Sequence, residues 1–147
     1  MDGSSPLTFG VAPGSYHVAL RHRNHLGCMS GNAAALDASP TVVDFRLAAT
    51  ATFGTDARKP VGSTRVLWAG NVVFDAQLKY TGSLNDRDPI LTVIGGTVPT
   101  GSAAGYLSED VNMDGQARYT GVENDRDIIL QNIGGVVPTA TRMEQLP

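Results

Sequence analysis

The sequence predicts an α+β chain: a small β-sandwich-like region over residues 1–60, then two loop-plus-short-helix repeats within 61–147. Three observations carry that expectation. The stretch 71–100 realigns on 110–139 at an offset of 39 residues, which divides the second half into copies spanning 71–109 and 110–147. Each copy ends in an apolar run too short for more than about two helical turns. The first sixty residues instead alternate apolar and polar positions in short runs separated by Pro and Gly.

The repeat is read residue by residue. Tyr80-Thr81-Gly82 matches Tyr119-Thr120-Gly121, and Asn85-Asp86-Arg87-Asp88 matches Asn124-Asp125-Arg126-Asp127. Ile94-Gly95-Gly96 matches Ile133-Gly134-Gly135, and Val98-Pro99-Thr100 matches Val137-Pro138-Thr139. Pro89 disfavours helical geometry at Asp88, so Asp88 is expected to cap the first helix with Pro89 at its first position, and Asp127 to cap the second. Ile90, Leu91 and Ile94 then share one face, as do Ile129, Leu130 and Ile133. Gly95 and Gly134 supply the left-handed residue that ends a helix. A unit of this kind cannot bury its apolar side alone, so the two copies are expected to pack face to face.

Asp110-Val111-Asn112-Met113-Asp114-Gly115 places oxygen-bearing side chains at alternate positions and then a glycine, the way a chain wraps a hard cation such as Ca²⁺. Asp110, Asn112 and Asp114 take loop positions one, three and five. Gln116 would contribute its backbone carbonyl. A standard loop closes with an acid at position twelve, which here is Gly121, so the loop is read as lengthened, with Asp125 and Asp127 as closing carboxylates. The first copy has lost much of this chemistry: Asn71 replaces an Asp, Val73 has no side-chain oxygen, and Ala76 replaces the glycine. A weaker site there would use Asn71, Asp75, Gln77, Asp86 and Asp88.

Paired loops of this type, each followed by one short helix, resemble the dockerin family. The chain is most similar to dockerin-like C-terminal modules of large secreted bacterial proteins, through the phrases 16–27, Leu67-Trp68-Ala69-Gly70 and Asn124-Asp125-Arg126-Asp127. The resemblance covers 67–147 well and the first half loosely. It implies a tandem calcium-loop/short-helix module, extracellular and non-catalytic, through which a secreted or surface protein is attached to a protein partner.

Within 1–60 the strands are expected at Leu7–Phe9, Tyr16–Arg21 and Thr41–Leu47, with 48–53 as an extension, after the manner of an immunoglobulin-like or transthyretin-like sandwich. Residues 30–40 read as a connecting loop and 54–66 as a polar linker. Trp68 is expected to pack between the two regions. So few strands leave an open edge, and the alternative reading is therefore a structural subunit of an extracellular filament or surface assembly. In that reading copies of the same chain complete one another's sheets, forming a homopolymer.

A net charge of −3 and a pI near 5.4 argue against nucleic acid as a partner. No apolar run approaches the roughly 20 residues of a membrane span. The opening Met1–Pro6 lacks the basic start and apolar segment of a signal peptide, so a secreted origin would make this chain a fragment or a processed form. Cys28, the one cysteine, reads as a small buried hydrophobe. His17, His22 and His25 sit among Arg21, Arg23 and Asn24 and read as the solvated face of a strand and its turn, since no carboxylate or cysteine completes a ligand set. They also lie far from any candidate nucleophile, so no enzyme is expected.

Overall fold

The structure, a computed structural model, describes residues 5–147; the expectations for Met1–Ser4 lie outside it. It corrects the α+β expectation. Among the described residues there are ten strands and two short helices, α1 (Arg87–Val93) and α2 (Asp125–Asn132), and the chain is a small, mainly-β fold. No sandwich forms in the first sixty residues, because strands of three to five residues each find one partner and stop.

Tyr16–Arg21 is not one strand. It breaks at His17-Val18 into β1 (Gly14–Tyr16) and β2 (Ala19–His22). β1 pairs antiparallel with β4 (Ala34–Leu36), inside the expected loop. β2 forms a hairpin with β3 (His25–Met29), whose Leu26, Gly27 and Cys28 are all buried. Leu7–Phe9 and Thr41–Leu47 form no strand, and 48–53 adds only a bridge from Thr52 to Ser30. Arg58 takes over the ordering of that region, its guanidinium donating to the carbonyls of Phe45, Leu47 and Thr50. The expected linker is a hairpin, β5 (Lys59–Val61) and β6 (Thr64–Val66), turned at Gly62 with φ 58°.

The repeats interlock. β7 (Gln77–Lys79) of the first copy pairs with β10 (Thr141–Met143), which follows the second helix. β9 (Gln116–Arg118) of the second copy pairs with β8 (Ser102–Ala104), which follows the first helix. The registers agree: Lys79 faces Thr141 as Arg118 faces Ser102, each pair displaced by the repeat offset of 39. Thr81 Oγ1 donates to the Pro138 carbonyl at 3.0 Å and Thr120 Oγ1 to that of Pro99 at 2.8 Å, the same exchange in side-chain form.

Two apolar clusters fill the centre. Val72, Ile90, Val111 and Ile129 join the inner faces of both helices to both loops. Leu26, Trp68, Leu78 and Ile133 join the β2–β3 hairpin to the repeats, so Trp68 packs between the two regions as expected. Its Nε1–H donates to the Asp56 carbonyl at 2.9 Å, and the Arg142 guanidinium lies 3.4 Å over its ring. No helix among the described residues is long and apolar enough to cross a membrane.

Candidate metal centre

Both helices begin earlier than their prolines and acids suggest, α1 by two residues and α2 by three. Asn124 is the cap of α2: its side-chain oxygen accepts from the Asp127 N–H at 3.0 Å, and its amide donates to Asp127 Oδ2 at 2.9 Å. Asn85 makes the same two bonds with Asp88 at 3.0 and 2.8 Å, while Asp86 is the residue that precedes α1, which leaves Pro89 in the third helical position. Asp88 and Asp127 are thus first-turn acids rather than caps. The helix ends follow the expectation. Gly95 and Gly134 have φ of 109° and 123°, and Gly96 and Gly135 close back onto the Leu91 and Leu130 carbonyls at 2.8 Å in both copies.

The Asp110–Gly115 loop draws its oxygens inward. Asp110 Oδ1 and Asn112 Oδ1 both accept from the Asp114 N–H, at 3.1 and 2.8 Å, and Asp110 Oδ2 accepts from Gly115 N–H at 3.1 Å. Met113 takes φ 63° and Gly115 φ 90°, the left-handed turns that this wrapping requires. Asp114 Oδ1 accepts from Gln116 N–H at 2.9 Å, while Oδ2 pairs with Arg118. That pairing holds the Asp114 carboxyl below its usual range. Arg23 approaches Asp110 Oδ2 at 3.6 Å. An open cleft beside this loop is lined by Asn112 and Asp114 together with Asn124 and Asp127 at the start of α2, and Asn112 Nδ2 donates to the Glu123 carbonyl at 2.8 Å.

Asp125 belongs to a different structure. It is fully buried, and its oxygens are already engaged: Oδ1 accepts from Val111 and Asn112 N–H at 2.7 and 3.1 Å, Oδ2 from Arg118 N–H at 2.7 Å. It clasps the loop to the helix, whereas Asp127 is partly exposed and lines the cleft. Burial pushes the Asp125 carboxyl up against those three bonds. Asp127 is instead held low by Asn124 and Arg126.

In the first copy the loop is closed by its own amide. Asn71 Oδ1 accepts from Asp75 N–H at 3.0 Å, and its Nδ2 donates to the Asp75 carbonyl at 2.6 Å. Asp75 Oδ1 holds Gln77 N–H at 2.8 Å. Asp86 repeats the clasp, accepting from Val73 and Lys79 N–H at 3.1 and 2.8 Å, and burial raises its carboxyl to about 6. Asp88 faces Asn85 and Arg87.

Among the described residues, no three His, Cys, Asp or Glu side chains gather as a metal-holding group. The loop of the second copy offers hard oxygen donors of mixed kind: two carboxylates, an amide and a peptide carbonyl, with Asp127 also lining the cleft. That set suits Ca²⁺ chemically and leaves Asp125 out. Sequence reasoning missed Asn24, a buried side chain whose amide donates to the Ser108 and Asp110 carbonyls and so pins the entrance of the loop. It also missed the capping role of Asn85 and Asn124, although their repetition at the same offset was a usable signal. The chain matches no family model, no curated protein and no solved structure.

Proposed function

We propose that this chain is a non-catalytic, calcium-stabilised extracellular module that attaches a secreted or surface protein to a protein partner, the role implied by its resemblance to dockerins. The carrying observation is the Asp110–Gly115 loop, whose three side-chain oxygens turn onto their own backbone beside a cleft that Asp127 also lines. Asp110, Asn112, Asp114, the Gln116 carbonyl and Asp127 would hold the ion. Bound there, Ca²⁺ would tie the loop to the first turn of α2 and stiffen the surface around it. Support for a non-catalytic reading is that the buried acids Asp86 and Asp125 serve the backbone rather than a cavity.

Calorimetric titration of the EDTA-stripped chain with Ca²⁺ tests this reading. One site per chain is expected, lost in Asp114→Ala and kept in Asp75→Ala. An absence of binding at millimolar Ca²⁺ would sink it.

A second reading, a structural subunit completed by neighbouring copies, is favoured by one observation. Every named strand belongs to a two-stranded sheet, so each carries an edge unpaired by any named strand. Sedimentation at rising protein concentration separates the two: the attachment module stays monomeric, and the subunit polymerises.

A further inference from the structure

Asn24 sits fully buried at the tip of the β2–β3 hairpin. Its Nδ2 donates to the Ser108 carbonyl at 2.9 Å and the Asp110 carbonyl at 2.7 Å. Both partners accept only, so these bonds decide which end of the amide is nitrogen. Oδ1 therefore points the other way, and there it meets two imidazoles. His22 Nδ1 lies 3.0 Å from it and His25 Nδ1 2.7 Å, while the two nitrogens lie 2.9 Å from each other.

With both Nδ1 atoms turned toward Oδ1, no arrangement of protons satisfies this triangle. Oδ1 can only accept. If both Nδ1 atoms carry hydrogen, both can donate to Oδ1, but they then oppose each other as two donors. If one carries hydrogen, the bare nitrogen faces Oδ1 lone pair to lone pair. With neither protonated, all three edges are repulsive. A cation onto which three lone pairs converge removes the conflict.

We propose that His22 Nδ1, His25 Nδ1 and Asn24 Oδ1 form a tripodal site for a divalent transition ion, Cu²⁺ or Ni²⁺. The spacing selects the class. Imidazole nitrogens bind such ions at about 2.0–2.1 Å, so two donors at a right angle stand about 2.9 Å apart, and two at a tetrahedral angle about 3.3–3.4 Å. Edges of 2.7, 2.9 and 3.0 Å match the right-angled case, the tetragonal geometry of nitrogen and oxygen donors around Cu²⁺ or Ni²⁺ rather than tetrahedral zinc. The two rings meet edge to face, with an interplanar angle of 88°. The Arg23 side chain is engaged elsewhere: Nε donates to the Leu107 carbonyl and the guanidinium lies 3.9 Å over Tyr106. The site differs in donor chemistry from the calcium loop, having two nitrogens and no carboxylate, and Asn24 joins the two through its Nδ2 bond to the Asp110 carbonyl.

The test uses the full chain, stripped with EDTA and then held in millimolar Ca²⁺ so that the oxygen loop is occupied. Titration with CuCl₂ and with NiCl₂ is followed by calorimetry, and the copper form by electron paramagnetic resonance. One ion per chain is expected, with an axial copper spectrum split by two imidazole nitrogens. His22→Gln should weaken binding at least tenfold and leave splitting from one nitrogen. His17→Gln, whose Nδ1 lies against the Ser30 carbonyl at 2.8 Å, should change neither. Unchanged affinity and spectrum in His22→Gln would overturn the proposal. So would a spectrum of the unmutated chain without two imidazole nitrogens, which decides the matter even if the variant misfolds.

Discussion

Arg142, beyond the second helix, lies opposite Leu78, which precedes the first. The pairing means that neither repeat completes its own ladder: each loop strand is matched by the strand that trails the other copy. The consequence is cooperativity between halves that read as separate units. A chain limited to residues 107–147 keeps α2 and the Asp110 loop but lacks Ser102–Ala104 as partner for β9. It is expected to be unfolded in EDTA, with a coil-like circular dichroism spectrum. A folded fragment would show that the exchange of strands is dispensable.

The clasp and the ligand roles of the acids should separate by mutation. Asp125→Ala strands the buried N–H of Val111 and the partly buried N–H groups of Asn112 and Arg118, and is expected to cost about 3 kcal/mol by urea unfolding in EDTA. Asp127→Ala loses a capping-box partner and should cost about 1 kcal/mol under the same conditions. The order should reverse for calcium affinity, where Asp127 matters more. Equal losses in EDTA would mean that Asp125 is not the clasp.

Why part of this was readable and part was not follows from the residues. The 39-residue offset, the paired helices and the glycines that end them are local, each written within a few consecutive positions. The strand exchange is not. Gln77–Lys79 and Thr141–Met143 are three residues each and far apart in the chain, too short for alternation to register. The buried β3 was hidden because His25 and Gly27 interrupt its apolar pattern. Asp125 and Asp127 were indistinguishable as carboxylates in sequence; only burial and three inward N–H groups separate the clasp from the open acid. The linker became a hairpin because Arg58, Lys59 and Asp56 have tertiary partners in Phe45, Asn132 and Trp68, none of them nearby.

The pH response should carry a sign set by His25. Burial first, then His22 and Arg23, lower its pKa from 6.5 to about 4, so the folded state takes up that proton less readily than the unfolded state. Its contribution is fully present above pH 6.5 and is lost as the pH falls towards 4. Asp86 runs the other way. With its carboxyl raised from 3.8 to about 6, mainly by burial, the fold loses stability as the pH rises through that window. The two partly cancel in the unmutated chain without metal. His25→Gln should therefore expose the Asp86 slope, with a melting temperature that falls as the pH rises from 4 to 6. Identical pH profiles for the variant and the unmutated chain would remove His25 as the source.

Gly70, immediately before the first repeat, marks the crossing of the two cores and should be less replaceable than the glycines of the repeats. It has φ 117°, a conformation that side chains resist, and a β-carbon placed on it would stand 2.9 Å from Ile129 Cγ1 and 3.4 Å from Leu78 Cδ2. Its N–H donates to the Asn24 carbonyl at 2.8 Å, so the backbone cannot slide away without releasing the hairpin that carries Asn24. Gly82 has φ 91° but nothing within 4 Å of the same β-carbon. Gly82→Ala should cost only left-handed strain, about 1 kcal/mol, whereas Gly70→Ala adds overpacking against Ile129 and should cost about 3 kcal/mol in total. Chemical denaturation of the two variants side by side measures the difference. Equal losses would mean that strain alone acts and that the Ile129 contact yields without cost.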